Sequence, residues 1–251
     1  MREALITAAE QGAKVDVVLD GAFPFDRSGV RAAANARLAK DLRAHGIDAR
    51  ITGAKEAAHT KAAVVDDVAW LDDRNFPSSG ADTLVRDDEA ADVAAVSNRI
   101  AGGAANSERI AFTKGEALAL EARVLTQAPR GELDVATENF GYGTIYGILK
   151  RRAEGGNRVR LLVDEREAAR GKDHEALAHL ARVGVEVKVR RDADKIALDG
   201  AQAWIGSANP TYPSPEQSDW GLITKVAPAV GQLRQRFEVA WNDPHDRAFV
   251  A

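Results

Sequence analysis

The sequence predicts an α/β fold built from two diverged copies of one unit, and three repeated features indicate it. Residues 10–20 can be laid over residues 154–164 without a gap, and each segment reads as a helix that ends at glycine, followed by a β-branched strand that ends in Asp. Further along, Gly46 and Gly184 each close a second helix that precedes a strand. Both copies then continue into two short strands with a tight connection, at 62–70 and 196–205. The order helix, strand, helix, strand, hairpin therefore occurs twice.

The second copy begins with two elements that the first does not show. A helix is predicted over 116–127 because Thr113 and Glu116 have the spacing of a capping box, and a strand follows at 133–138. No such pair precedes Met1, so either the first copy has lost both elements or an upstream segment, with any targeting sequence, is missing. The small, polar stretch 101–107 is the predicted boundary, with a first repeat over 1–103 and a second over 104–251.

Composition narrows the classes of function. Lys and Arg number 34 against 38 Asp and Glu, and this net charge of -4 argues against a surface that grips a polyanion along its whole length. The absence of cysteine excludes disulfides, a thiol nucleophile and cysteine metal sites. The N-terminus lacks the apolar stretch of a signal peptide, and no apolar run approaches the roughly 20 residues of a spanning helix. We therefore expect a cytoplasmic chain without stable membrane insertion.

The stretch from His59 to Asp66 carries the chemistry. His59 and Lys61 are two residues apart on a predicted strand, so their side chains point to the same face. Phosphoryl transfer needs that pairing, because a neutral imidazole attacks phosphorus while a fixed cation holds the nonbridging oxygens. Asp66 suits a supporting role, orienting and charge-stabilising the imidazole, and Asn75 suits a further hydrogen bond to the same oxygens.

The pattern His59-x-Lys61-x4-Asp66 followed by Asn75 resembles the signature of the phospholipase D-like superfamily. Gly206-Ser207-x-Asn209 in the second copy resembles the Gly-Ser-x-Asn element that follows this signature. The resemblance implies two pseudo-twofold-related lobes, each a mixed β-sheet flanked by helices, with one motif from each lobe meeting at a shared cleft. It further implies a phosphodiester substrate, a phosphohistidine intermediate, a second histidine that protonates the leaving group, and no metal or other cofactor.

The second copy departs from the family pattern. Counting back from Gly206 by the family's spacing, the histidine position falls on Asp192 and the lysine position on Asp194. A protonated Asp192 would serve as general acid, and Lys195 would be a displaced lysine, although a one-residue shift turns a strand side chain to the other face unless a bulge intervenes. Asp219 and Asp82 fall where the family often places an acidic residue that supports the histidine. The predicted catalytic residues are His59, Lys61, Asp66 and Asp192, and the predicted substrate-binding residues are Asn75, Ser207, Asn209 and Lys195.

Two functional hypotheses follow. The first is a phosphodiesterase with His59 as nucleophile, acting on a phospholipid in preference to nucleic acid. The alternative is a catalytically impaired homologue that serves as a binding or structural module, since Asp192 and Asp194 bring negative charge to a cleft that should receive phosphate. We expect a monomer; a homodimer that pairs two copies of His59 is the alternative.

Overall fold

The computed structural model describes residues 1–22, 28–53, 57–74, 83–103, 106–113, 115–129, 131–169, 171–191, 193–211 and 217–250. In these residues the chain is an α/β protein, with helices packed against three β-sheets. The predicted fold class is confirmed at this level. No helix in the described ranges has the length and apolar character needed to cross a membrane.

The first half of the chain contains one helix before each of two parallel strands, then a three-stranded meander and a closing helix. Its elements are α1 (Arg2–Glu10), β1 (Asp16–Leu19), α2 (Val30–Ala44), β2 (Asp48–Ile51), β3 (Ala62–Val65), β4 (Val68–Asp72), β5 (Leu84–Asp87) and α3 (Ala90–Ile100). β1 and β2 form a parallel pair, and β3, β4 and β5 form an antiparallel sheet in that order.

The second half contributes a larger sheet. Its elements are β6 (Ile110–Ala111), α4 (Glu116–Gln127), β7 (Glu132–Thr137), α5 (Thr144–Glu154), β8 (Arg158–Asp164), α6 (Glu165–Ala168), α7 (Gly171–Arg182), β9 (Glu186–Arg190), β10 (Ile196–Leu198), β11 (Ala203–Gly206), β12 (Gly221–Thr224), α8 (Ala227–Trp241) and β13 (Arg247–Ala248). The strand order is β13-β9-β8-β7-β10-β11-β12-β6. β7, β8 and β9 are parallel, whereas β10, β11, β12 and β6 are antiparallel to their neighbours. β8 lies inside the parallel part, and its apolar run is buried accordingly.

The helix ends follow the sequence. Gly46 and Gly184 adopt φ of 77° and 96° just after α2 and α7, a left-handed conformation that suits glycine and stops each helix before a strand. α4 spans the predicted residues, but its N-cap is Gly115 rather than Thr113. The Thr113 hydroxyl instead donates to the Glu116 carboxylate.

From α5 onward, the second half repeats the element order of the first, with the short α6 as an addition. β7 separates β8 from β10 in the large sheet, pairing parallel with the one and antiparallel with the other. Among the described residues of the first half, no strand takes the corresponding place between β1 and β3. The first-half strands therefore form two separate ladders instead of one continuous sheet.

The two hairpins share one register. Ala62 pairs with Leu71 in β3 and β4, and Ile196 pairs with Ile205 in β10 and β11. The next pair in each hairpin contains a tryptophan, Trp70 in β4 and Trp204 in β11. A residue at a given number of positions before β3 therefore corresponds to the residue at the same number of positions before β10.

The apolar core has three parts. One cluster lies inside the second half, around β7, β8, α4 and α5. A second combines first-half residues such as Leu71 and Val96 with second-half residues such as Phe112, Trp220 and Phe237. The third is small and belongs to α1, α2, β1 and β2. The second cluster therefore joins the two halves of the chain.

Candidate active site

His59 lies where the first half of the chain meets the second. The segment before β3 runs beside residues 217–220: Ala58 and Ser218 form a parallel bridge, the His59 amide donates to the Ser218 carbonyl at 2.9 Å, and the Ser218 amide donates to the Ala57 carbonyl at 2.9 Å. These backbone bonds fix the position of the imidazole relative to β12. The two halves therefore both shape the surroundings of His59.

The His59 imidazole is oriented by a carboxylate from the second half. His59 Nδ1 lies 2.6 Å from Asp219 Oδ1, and the same oxygen accepts from the Ser207 hydroxyl at 3.0 Å. Asp219 and Ser207 are both buried. A carboxylate beside Nδ1 favours the tautomer with the proton on Nδ1, which leaves the lone pair on Nε2. The side chain of His59 remains 32% exposed, so a ligand can reach the ring.

Lys61 brings a buried ammonium to the same place. Its Nζ donates to the His59 carbonyl at 2.7 Å, and its side chain is 7% exposed. Burial lowers the pKa of Lys61, the charge of Asp219 counteracts this shift and the charge of Lys195 adds to it, and the resulting pKa is about 7. An anion bound beside Lys61 would favour the charged form of its side chain, because an opposite charge nearby offsets the penalty of burial.

Lys195 is the second cation of the site, and its placement corrects the count made from the sequence. The shared hairpin register puts Lys195 at the position of Lys61, and Ala193 at the position of His59. Lys195 Nζ is buried and donates to the Asp73 carbonyl at 3.1 Å. The prediction that Lys195 is displaced by one residue from the lysine position is wrong. The prediction counted by the family's spacing, whereas the second hairpin of this chain has the register of its first hairpin.

Asp194 therefore does not stand at the lysine position. Its carboxylate accepts two hydrogen bonds from Arg236, at 2.8 and 2.9 Å, and one from the Thr83 hydroxyl at 3.2 Å. A carboxylate with these partners is already neutralised. Asp192 and Asn75 lie outside the described residues, as does Asp82, so their expected roles stay predictions.

Glu138 follows β7 and carries a carboxylate into the same cluster. Its Oε2 lies 2.9 Å from Lys195 Nζ, and its side chain is 43% exposed. Burial acts to raise the pKa of Glu138, but the charge and hydrogen bond of Lys195 outweigh it, assisted by Arg74 and His59, so the pKa lies below its usual range. No motif in the sequence includes Glu138, and its position at the end of a predicted strand is the signal that could have identified it.

Asp66 does not support His59, which corrects that expectation. Asp66 and Asp67 form the exposed turn between β3 and β4, with φ of 48° and 60°. Six residues of nearly extended chain lie between His59 and Asp66, which places the two residues about 20 Å apart. The supporting carboxylate is Asp219 instead.

Asn209 and Asp73 hold the backbone around the site. Asn209 Oδ1 accepts from the Asn139 amide at 3.2 Å, just beyond Glu138. Asp73 is fully buried; it accepts from the Thr83 amide at 2.9 Å, and burial raises its pKa to about 6. The Trp220 indole donates to the Asp72 carbonyl at 2.8 Å, a further bond between the halves.

A group of carboxylates elsewhere has the spacing of a metal site. In the part of the chain that the structure describes, Glu132, Asp134 and Glu238 offer oxygens within 4.8 Å of one another. The buried guanidinium of Arg160 already forms ion pairs with all three, so a cation would have to displace it. This cluster belongs to the packing of β7, β8 and α8.

The comparisons with known proteins agree with this geometry. The family model described as the phospholipase D-like domain of cardiolipin synthase matches residues 122–241, which include Lys195, Ser207, Asn209 and Asp219. Residues 122–241 therefore form a phospholipase D-like domain. No curated protein matches the sequence.

Three solved structures resemble the whole chain or a large part of it. Polyphosphate kinase from Porphyromonas gingivalis matches with a TM-score of 0.72 at 17% identity, covering 97% of this chain and 41% of the kinase. Phosphatidylserine synthase from Haemophilus influenzae Rd KW20 matches with a TM-score of 0.62 at 10% identity, covering 98% of this chain and 85% of the synthase. Nuc from Salmonella typhimurium, a phospholipase D family member, matches with a TM-score of 0.50 at 16% identity, covering 56% of this chain and 97% of Nuc. At these identities the likeness concerns the fold, and the chain spans about two fifths of the kinase.

The two halves of the chain contribute different residues to the site. The first half supplies His59 and Lys61, and the second half supplies Lys195, Ser207, Asn209 and Asp219. Ala193 takes the place that corresponds to His59 in the second half. Chemically, the arrangement offers one oriented imidazole and two buried ammonium groups.

Proposed function

We propose that this chain transfers a phosphoryl group from a phosphodiester through a phosphohistidine at His59. The observation that carries the proposal is the 2.6 Å contact between His59 Nδ1 and Asp219, made between the two halves. A histidine with a purely structural role would not need a buried carboxylate at Nδ1 and two buried lysines nearby. A nucleophilic imidazole does, because the carboxylate stabilises the positive charge that develops on the ring.

The first chemical step follows from these contacts. The lone pair of His59 Nε2 forms a bond to phosphorus, the bond from phosphorus to the leaving oxygen breaks, and that oxygen keeps the electron pair. The Nδ1 proton stays hydrogen-bonded to Asp219. Lys61 and Lys195 stabilise the charge on the nonbridging oxygens. Asn75, Ser207 and Asn209 are the proposed further contacts around this pocket, with Ser207 acting through Asp219.

We propose a phospholipid as substrate in preference to nucleic acid. The matched family model is that of a cardiolipin synthase domain, and one structural relative is a phosphatidylserine synthase. The net charge of -4 also disfavours a long nucleic-acid contact, which depends on many Lys and Arg side chains. The likeness to polyphosphate kinase covers 41% of that protein, so it supports a shared fold and does not extend the kinase's activity to this chain.

The alternative is an impaired homologue that binds a phosphorylated ligand without turning it over. Ala193 favours this alternative, since a methyl group stands where the second histidine of the family would handle protons. The two lysines would still attract an anion. Binding without turnover is therefore the outcome to test against catalysis.

Hydrolysis of bis(p-nitrophenyl) phosphate in EDTA separates the two. The enzyme hypothesis expects turnover that His59→Ala abolishes and that His45→Ala, a change at the exposed end of α2, leaves intact. It further expects an acid-labile phosphoryl adduct on the wild-type chain by intact mass and phosphorus NMR. Wild-type turnover at background, with phosphate still stabilising the fold, supports the binding module and overturns the catalytic proposal.

The proposed architecture is two pseudo-twofold-related lobes, residues 1–103 and 104–251, acting as a monomer. Residues 57–61 already pair with residues 217–220 of the same chain, the surface through which a homodimer would bring two copies of His59 together. Light scattering after gel filtration measures the oligomeric state of the active fractions. Activity in the monomer fraction supports the proposal, and activity confined to a dimer contradicts it.

A further inference from the structure

The place of the missing second histidine has a carboxylate beside it. β7 and β10 pair with Ala136 opposite Ile196, and continuing that register brings Glu138 next to Asp194 and Asn139 next to Ala193. Glu138 is thus delivered to the end of β10 by a strand that has no counterpart among the described first-half residues. The residue lies across the halves from His59, whose charge influences it.

Three other described carboxylates near the site either accept hydrogen bonds from protein side chains or are fully buried. Asp219 accepts from His59 and Ser207, and Asp194 accepts from Arg236 and Thr83. Asp73 is fully buried. The side chain of Glu138, by contrast, is 43% exposed, and its Oε2 lies 2.9 Å from Lys195 Nζ, so Glu138 is partly open to solvent while one carboxylate oxygen is held in place.

We propose, building on the phosphohistidine function above, that Glu138 is the catalytic base that activates water for release of the phosphoryl group from His59. Water forms a bond to phosphorus, one of its protons moves to the Glu138 carboxylate, and the phosphorus–nitrogen bond breaks with its electron pair returning to Nε2. Lys195 positions the carboxylate and offsets its repulsion of the phosphoryl oxygens.

Charge supports this role. The ion pair with Lys195 keeps the pKa of Glu138 below its usual range, so at neutral pH the group is a proton acceptor. The basic side chains that influence the pKa of Glu138 are those of Lys195, Arg74 and His59. Arg74 also donates to the Ala193 carbonyl at 2.8 Å, which brings its guanidinium to the same corner.

The test is Glu138→Gln with bis(p-nitrophenyl) phosphate, whose p-nitrophenolate leaves without needing a proton. The first step then continues and the second fails. We expect a burst of about one p-nitrophenol per chain, accumulation of the phosphoryl adduct by intact mass, and a steady-state rate lower by about 100- to 10,000-fold. Glu154→Gln, which removes another ion-paired but exposed glutamate, leaves burst and turnover at wild-type values.

Two additions exclude a merely structural effect. Glu138→Asp keeps a carboxylate and should recover part of the second step. Hydroxylamine, a nucleophile that needs less help from a base than water, should restore turnover in Glu138→Gln. Wild-type turnover in Glu138→Gln, or loss of its burst along with its turnover while the fold is intact, overturns the role of Glu138. Absence of any His59 adduct in the wild type overturns the proposed function and this inference with it.

Discussion

Lys61 shows how one residue can carry opposite effects on stability and on function. Its ammonium is nearly fully buried, and among the described residues its hydrogen-bond partner is the His59 carbonyl. Burial of a cation costs free energy, and a single neutral acceptor offsets little of it. Under the proposed function, a bound phosphoryl group would place negative charge beside Lys61, so the cost to stability would become affinity for the anion.

This trade-off predicts a pH-dependent stability change for Lys61→Met. The pKa of Lys61 is about 7 in the folded chain and 10.5 in the unfolded chain. Below pH 7 the Lys61 side chain is charged in both states, and the folded chain bears the full cost of burying that charge. Between pH 7 and pH 10.5 the side chain is protonated in the unfolded chain and neutral in the folded chain, so stability rises with pH. We expect Lys61→Met to stabilise the fold by about 1–3 kcal/mol at pH 6 and by less near pH 9.5.

Urea unfolding at the two pH values, without phosphate, measures this difference. Lys40→Met, on the exposed face of α2, should change neither value. A gain in Lys61→Met that is equal at both pH values would contradict the burial cost as its cause.

Asp219 allows a second prediction at this scale. Asp219→Asn removes the charge beside His59 Nδ1 and permits the wrong tautomer, so kcat should fall by about 100- to 10,000-fold while substrate KM changes little. Asp243→Asn is a matched control, because Asp243 contacts His245 Nδ1 at 2.9 Å on the exposed surface. Steady-state kinetics with circular dichroism checks both. Equal loss in the two variants would show that the effect is not specific to the site.

Several site residues were predictable from the sequence because their spacing is local. His59 and Lys61 occur within three residues, and Gly206-Ser207-x-Asn209 is equally compact. Asp66 was misjudged because spacing along a strand does not reveal that the residue ends in the hairpin turn. Lys195 was misplaced because the count used the family's hairpin, whereas the register of this chain's own first hairpin decides. Glu138 depends on strand pairing, which spacing does not encode.

At the scale of elements, the sequence predicted order better than pairing. The helix at 116–127 and both hairpins occur where the periodicity and glycines indicated. The division of the first-half strands into two ladders was not predicted, because it follows from which strands are neighbours. β7 shows the consequence, since the strand that joins β8 to β10 also delivers Glu138.

α4 contains a buried carboxyl that makes stability depend on pH. Glu121 is 1% exposed on the face that packs against the large sheet, and burial raises its pKa to about 8. Below about pH 4.5 both states are protonated; from there to about pH 8 the unfolded chain loses the proton first, so stability falls as pH rises.

We expect Glu121→Gln to flatten this dependence. Relative to the wild type, the variant should gain stability between pH 5 and 8, on the order of 1–3 kcal/mol. Each kcal/mol corresponds to a rise in melting temperature of roughly 2–4 °C. Thermal unfolding across that range measures it, with exposed Glu108→Gln as control. A wild-type melting temperature that climbs steadily toward pH 8 relative to Glu121→Gln would show that Glu121 is not protonated in the fold.

At the scale of the whole molecule, the site and the shared core make the halves depend on each other. The apolar cluster around Leu71 and Trp220 draws on both halves, and hydrogen bonds from Arg74, Lys195 and Trp220 cross between them close by. His59 is oriented only while this contact holds. The catalytic geometry should therefore be lost when the halves separate, before either loses its strands.

Leu71→Ala tests this dependence, with Leu42→Ala as its counterpart. Leu71 is fully buried in the shared cluster, whereas Leu42 belongs to the small cluster of α1, α2, β1 and β2. Each truncation should cost about 2–5 kcal/mol. Because the shared cluster couples the halves, Leu71→Ala should accelerate amide hydrogen exchange in β8 as much as in β4, while Leu42→Ala should accelerate it mainly in β1 and β2. Faster exchange in β4 alone for Leu71→Ala would mean that the halves unfold independently, and His59 would then owe its orientation to the local bonds with Ser218 and Asp219.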